Sequence, residues 1–210
     1  MDSPSYTDLV EQLTGCLTGP ARRIVAIAGA PASGKSTLAE SLCADLDRRA
    51  PGGAAILPMD GYHLDNALLD QRGWRDRKGA PQTFDVAGLA QDLGRVRADQ
   101  GPVVVPVFDR GLDLSRGSAR EIAAAARVIL VEGNYLLLDQ APWTGMAPLF
   151  DMTVFLAVPE AVLELRLIQR WLDHGHTPEA ARSRALSNDI PNARLVAGQS
   201  RPADVTLNGG

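Results

Sequence analysis

Short apolar runs alternate with longer amphipathic stretches along most of the chain. The runs fall at 24–28, 54–59, 103–107, 128–131 and 153–158 and are rich in Ile, Val, Leu and Ala, the composition of strands buried on both faces of a sheet. Between them lie segments whose apolar residues recur at helical spacing, at 35–49, 86–100, 118–126 and 159–174, the last with Pro159 and Glu160 in its first turn. A further helix is predicted before the first strand, where Tyr6, Leu9, Val10, Leu13, Cys16 and Leu17 keep the same period until Gly19 and Pro20 end it. This alternation predicts a parallel sheet with helices on both faces, a three-layer α/β fold. A sixth strand is an option at 204–207.

The stretch 61–84 breaks the rhythm. It is polar and rich in Asp, Arg and Gly, and a loop of that length inside a compact domain usually carries function. No internal repeat, low-complexity segment or linker interrupts the rest, so the chain reads as a single domain over 1–210. At 210 residues, 45% hydrophobic and 22% charged, such a domain buries enough core to need no staple.

Charge narrows the partners. A net charge of −4 and a pI near 5.4 disfavour nucleic acid and anionic membranes, which select basic surfaces, and favour a small-molecule substrate. Cys16 and Cys43 stand apart from any CxxC or Cys/His cluster and read as buried thiols. Asp2, Asp8 and Glu11 interrupt the N-terminus, and no run is long enough to span a bilayer, so neither a signal peptide nor a membrane span is expected and a cytoplasmic location follows.

The strongest chemical signal is Gly29-Ala30-Pro31-Ala32-Ser33-Gly34-Lys35-Ser36, extended by Thr37, which fits G-x-x-x-x-G-K-[ST] between an apolar strand and a helical pattern. The glycines let the backbone wrap phosphates with its N–H groups turned inward, and the following helix adds a positive dipole end. Lys35 is the candidate for neutralising the β- and γ-phosphates of ATP, and the Ser36 hydroxyl for holding Mg²⁺. Three acids end apolar runs, where ligands of an open parallel sheet collect: Asp60, Asp109 and Glu132. All three are expected to face the phosphate loop, Glu132 as the acid that holds Mg²⁺ through water and Asp60 as the general base for an attacking hydroxyl.

With those residues placed, the chain resembles the P-loop kinases that include uridine kinase, phosphoribulokinase and type I pantothenate kinase. Met59-Asp60-Gly61-Tyr62-His63-Leu64-Asp65-Asn66 is similar to the family's acidic strand-end motif, Gly79-Ala80-Pro81-Gln82-Thr83-Phe84-Asp85 to its second substrate motif, and Val105-Pro106-Val107-Phe108-Asp109 to its third. The resemblance implies a P-loop fold with core strand order 2-3-1-4-5, Asp60 as catalytic base, and Tyr62, His63, Phe84, Asp85 and Asp109 on the acceptor. The look of 132–138 and 188–193 is shared with bacterial kinases encoded beside fructose uptake systems, which implies a sugar acceptor, fructose among them. A nucleoside or pantothenate is the alternative. Uridine kinases carry an Arg-rich lid ending in Arg-Asp, whereas here Arg170 leads to Leu172-Asp173, which weighs against uridine.

Arg166 and Arg170 lie four apart on one helix face, within an expected lid at 166–188. A closing lid brings them to the transferring phosphate, with Arg170 the catalytic candidate and Arg166 on substrate; the alternative is a solvated face paired with Glu164 or Asp173. Arg72, Arg75, Arg77 and Lys78, with Trp74 among them, either attract a phosphorylated acceptor or are simply exposed. Asn188 and Asn192 border the adenine or begin a turn. His174 and His176 read as helix-end residues, and Trp143, between Pro142 and Gly145, as part of a surface loop without a role. The chain has neither an Asn-Lys-x-Asp guanine motif nor an LSGGQ-like signature, which separates it from a nucleotide-hydrolysing switch or motor, and it leaves a homodimer open.

Overall fold

The computed structural model of the protein describes residues 5–209; Asp2 and both extremes of the expected domain lie outside the described residues. In chain order the elements are α1 (Tyr6–Thr14), β1 (Arg23–Gly29), α2 (Lys35–Arg49), β2 (Ala54–Pro58), α3 (Asn66–Gln71), α4 (Val86–Ala98), β3 (Val103–Asp109) and β4 (Leu114–Ile122). They continue with β5 (Val128–Gly133), β6 (Met152–Ala157), α5 (Glu160–Asp173), α6 (Pro178–Arg184), α7 (Ile190–Gln199) and β7 (Val205–Asn208).

Five strands form one sheet in the order β2-β5-β1-β6-β7, and every neighbouring pair runs parallel. Counting only these strands, the order is 2-3-1-4-5, as the family resemblance implies. Its membership differs from expectation. The run at 103–107 leaves the sheet and pairs antiparallel with β4, while the optional strand near the C-terminus becomes an edge strand of the core. Pro106 explains the exclusion: it has no N–H to donate, and the β3–β4 register slips between Val105 and Val107, the bulge expected where proline interrupts a ladder.

The helix expected at 118–126 is not formed. Its first residues belong to β4, where Val103 faces Ile122 and Val105 faces Arg120. Local propensity favoured a helix in this alanine-rich segment, but burial of Ile122 and Ala126 in the core overrides it.

Each face of the sheet has its own core. Leu9, Leu13, Leu42 and Leu46 of α1 and α2 pack on Val25, Ile27, Leu130 and Val154. On the other face Leu89 and Leu93 of α4 pack with Ile24, Leu57, Ile129 and Val131. Trp143 belongs to this second core: it is 1% exposed and lies against Tyr135 and Phe84 at ring separations of 5.4 and 6.0 Å, so the expectation of a surface loop is corrected. Cys16 and Cys43 are half-buried rather than buried, and no described helix is long and apolar enough to cross a membrane.

Gly133 ends β5 where Met59 crosses it. A Cβ at Gly133 would stand 2.4 Å from the Met59 Cβ and 2.6 Å from its Sδ, contacts that force a shift of main chain as well as side chain. Gly133→Ala is therefore expected to cost about 1–3 kcal/mol, with Tm falling by roughly 2–4 °C for each kcal/mol. Thermal denaturation followed by circular dichroism checks this, and an unchanged Tm refutes the crowding argument.

Candidate active site

The site forms at the carboxyl ends of β1, β2 and β5, where strand order reverses. Between β1 and α2 the chain makes a loop whose turn depends on Gly34 at φ +96°, a conformation that glycine adopts without strain. No side chain caps α2, so its first N–H groups point outward without an internal partner, as an anion site requires. Inside the loop the Ser33 hydroxyl is buried without a partner, and Ala30 is buried as well. A phosphate chain would supply the acceptors that these donors lack.

Lys35 and Glu132 flank this loop. Burial pushes the Lys35 ammonium pKa down, against the pull of Glu132 and Asp60. Burial pushes the Glu132 carboxyl up, against the pull of Lys35. Each buried charge thus lacks full compensation within the protein. The Ser36 hydroxyl donates to Glu132 Oε2 at 3.1 Å, because parallel register sets Glu132 beside Ile27 of β1 and Pro58 of β2. A hydroxyl and a carboxylate so paired are hard oxygen donors suited to Mg²⁺, and phosphates suit Lys35.

Asp60 occupies a short 3₁₀ turn, Met59–Tyr62, directly after β2. It faces a cavity of about 370 Å³ whose wall also includes Pro31, Lys35 and Ser36. Arg110 Nη2 donates to Asp60 Oδ2 at 3.1 Å. His63 lies tilted between Phe84 and Phe108, with ring centroids 4.1 and 4.6 Å away, and its Nδ1 lies 2.8 Å from the Asp60 carbonyl. A carbonyl only accepts, so Nδ1 carries the proton. Burial lowers the His63 pKa, with Asp60 opposing, which keeps the ring neutral and leaves Nε2 as an acceptor in the cavity wall.

A second hollow of about 400 Å³ adjoins the first at the phosphate loop and takes in Ala32, Gly34, Thr37 and Arg166. Lys35, Ser36, Arg110, Arg170 and His174 line both hollows. Arg166 donates to the carbonyls of Ala32 and Ser33 at 3.5 and 3.4 Å, while Glu164 pairs with Arg182 and Asp173 accepts from Gln169. The alternative of a solvated, self-paired helix face does not hold for Arg166.

Several expected site residues lie elsewhere. Asp109 accepts from Leu112 N and pairs with Arg116 at 3.4 Å, away from the loop it was expected to face. Side chains alternate along a strand, so Phe108 and Arg110 share the cavity side and Asp109 takes the other. The Tyr62 hydroxyl donates to Asp92 on α4, and Asp85 caps α4 by accepting from Gly88 N. Both hold the second substrate motif against the first, through Leu64 N to Thr83 O and Asp85 N to Tyr62 O. Asn192 lines the Asp60 cavity and Asn188 donates to the Lys78 carbonyl, and neither lines the second hollow.

Sequence reasoning missed Arg110, Trp171 and Asp189 of the cavity wall and did not separate Lys78 from its basic run. Lys78 is 9% exposed at its side chain and binds Asn66 Oδ1, Asp113 O and Asp113 Oδ1 at 2.7 to 2.8 Å, whereas Arg72 lies outside, 5.2 Å over the Trp74 ring. The alternation rule that removes Asp109 could have found Arg110.

Three comparisons bear on this geometry. The crystal structure of a kinase from Silicibacter sp. TM1040, assigned provisionally to a fructose transport system, is 43% identical, covers 98% of this chain and 100% of its own, and superposes with a TM-score of 0.91. A Schizosaccharomyces pombe protein designated provisionally a uridine kinase is 31% identical over 98% of this chain and 91% of its own length. The pantothenate kinase of Nitrobacter hamburgensis is 32% identical over 83% of this chain, which spans 59% of that enzyme. No family profile matches the chain.

Proposed function

Because the chain belongs to the P-loop kinase family that includes uridine kinase, phosphoribulokinase and pantothenate kinase, phosphotransferases with an alcohol acceptor, we propose that it moves the γ-phosphoryl group of ATP, with Mg²⁺, to a hydroxyl of a sugar-like metabolite. The observation that carries this reading is the pair of adjoining hollows at the phosphate loop, which share Lys35, Ser36, Arg110, Arg170 and His174. A nucleotide in one and an alcohol in the other meet at those five side chains. The similarity to a structure assigned to a fructose transport system supports a sugar.

In this reading the loop amides from Gly29 to Ser36 and the Lys35 ammonium hold the phosphates. Ser36 and Glu132 would hold Mg²⁺, which would supply neutralising charge to the phosphates. Asp60 accepts the proton of the attacking hydroxyl, and Arg170 screens charge that grows on the transferring group. His63 Nε2 accepts a hydrogen bond from a second hydroxyl of the acceptor. Residues 1–210 act as one kinase domain with 166–188 as its lid, closing the hollows against water.

The test is a panel of hexoses, nucleosides and pantothenate incubated with ATP and Mg²⁺. Acceptor-dependent ADP formation is expected with a sugar-like member, and ADP formation indifferent to every acceptor refutes the reading. Within it, Arg170→Ala is expected to lower kcat about 10- to 100-fold while KM for ATP changes by less than about 3-fold, the pattern of a contact made in the transition state. Steady-state kinetics that show only a raised KM would reassign Arg170 to ground-state binding.

A further inference from the structure

The cavity that faces Asp60 carries more positive charge than its own acids offset. Six Lys and Arg side chains line it against three aspartates. Three of the six, Lys35, Arg110 and Arg170, are shared with the nucleotide hollow, and of these Lys35 and Arg170 answer to the phosphates in the reading above. Arg110 is paired within the protein with Asp60, and Lys78 and Arg75 with Asp113 at 2.8 and 3.5 Å.

Arg184 is the sixth, and among the described residues it makes no ion pair. Its guanidinium carbon lies 5.2 Å from the centre of the Trp171 ring, and its Nε is buried without a partner. The remaining aspartate, Asp189, accepts from Trp171 Nε1 at 2.6 Å rather than pairing with Arg184, and burial raises its pKa against the pull of Trp171, Arg170 and Arg184. Arg184 reaches the cavity through local backbone: α6 runs into a π-helical turn, Ala185–Asp189, before α7 begins. Such turns are rare and gather at functional sites. Here the turn brings Arg184 and Asp189 to one wall, with Trp171 of α5 between them.

A guanidinium over an indole, with its Nε buried and short of a counter-charge, is costly unless a ligand supplies one. It presents a planar fork suited to a carboxylate or phosphate. We propose that the acceptor carries an acidic group as well as the hydroxyl that Asp60 faces, and that Arg184, seated on Trp171, is the residue that recognises it. The inference rests on the kinase reading only for the identity of the hydroxyl; the anion subsite stands on the geometry of Arg184. The acceptor class is then a small hydroxy acid or sugar phosphate rather than a neutral sugar.

Calorimetric binding separates the two readings because it does not need turnover. Matched probes are glycerol, glycerate and glycerol phosphate, and fructose, gluconate and fructose 6-phosphate, each titrated into the full chain holding Mg²⁺ and a nonhydrolysable ATP analogue. At least one acid is expected to bind about 10- to 100-fold more tightly than its neutral partner, and the arms show whether carboxylate or phosphate is preferred. Arg184→Gln is expected to erase most of that ratio, and Arg184→Lys to restore only part, since the charge returns without the fork. Acids that bind no better than their neutral partners overturn the proposal. So does an Arg184→Gln effect confined to the ATP analogue, or one that weakens acid and neutral probes equally, as a purely structural role would. Acid binding through Arg184 with no phosphoryl transfer to any probe keeps this inference and rejects the transfer reading instead.

Discussion

In single-turnover transfer, Asp60→Asn is expected to slow the chemical step by about 10²-fold or more while ATP and acceptor still bind. Asparagine keeps the size of the side chain and an oxygen that Arg110 can donate to, so the cavity keeps its shape. It loses the charge and the basicity that receive the hydroxyl proton. The fold is not at stake: the Arg110 side chain that pairs with Asp60 is 60% exposed, and pairs so open to solvent contribute about 0–1 kcal/mol. Binding and chemistry are therefore separated by this one substitution. Mg²⁺ dependence decides between a base and a metal ligand. If Ser36 and Glu132 hold the metal, the Mg²⁺ requirement of Asp60→Asn stays near that of the native protein. A variant whose rate returns to normal in excess Mg²⁺ would falsify the general-base role.

Lys35→Ala is the larger lesion for the nucleotide. Charged hydrogen bonds of this kind contribute roughly 1.5–3 kcal/mol to binding, so affinity for a nonhydrolysable ATP analogue is expected to fall about 10- to 100-fold by calorimetry. Turnover is expected to fall further, by about 10³-fold, because charge on the transferring group grows in the transition state. The effect on stability is a balance. Removing an ammonium whose pKa burial has lowered relieves a desolvation cost, but it also takes from Glu132 the charge that opposes its own raised pKa. The two contributions oppose each other, and Tm at neutral pH is expected to change little. The Glu132 contribution has a definite sign. An acid whose folded pKa lies above its unfolded one stabilises the fold while both states are protonated and loses that stabilisation as pH rises through the folded value. In Lys35→Ala the loss extends to higher pH, since the Glu132 carboxyl is raised further. Unchanged affinity together with unchanged turnover would remove Lys35 from the phosphate site.

The sequence alone determined the parts of the site built from contiguous residues. The run from Gly29 to Thr37 must follow a buried strand and open a helix, because a backbone anion cradle uses consecutive N–H groups and its conformation is set within nine residues. Asp60 and Glu132 were legible for a related reason: each ends an apolar run, at the carboxyl end of a parallel strand where ligands collect. The helices Lys35–Arg49 and Glu160–Asp173 followed from their periodicity to within a residue at either end.

Tertiary structure decided what depends on pairing across the chain. Whether 103–107 joined the central sheet turned on Pro106 and on a partner strand that local propensity had marked as helix. That pairing, in turn, set which side of β3 faces the cavity and exchanged Asp109 for Arg110. Trp143 looked like a loop residue because proline and glycine flank it, yet its indole fills the core beside Tyr135 and Phe84. Lys78, Arg110 and Arg184 come from a long loop, a hairpin and α6 with no common spacing between them. Their convergence exists only once the sheet order and the π turn have brought those segments together, since side-chain contact at that distance in sequence is a property of packing and not of local pattern.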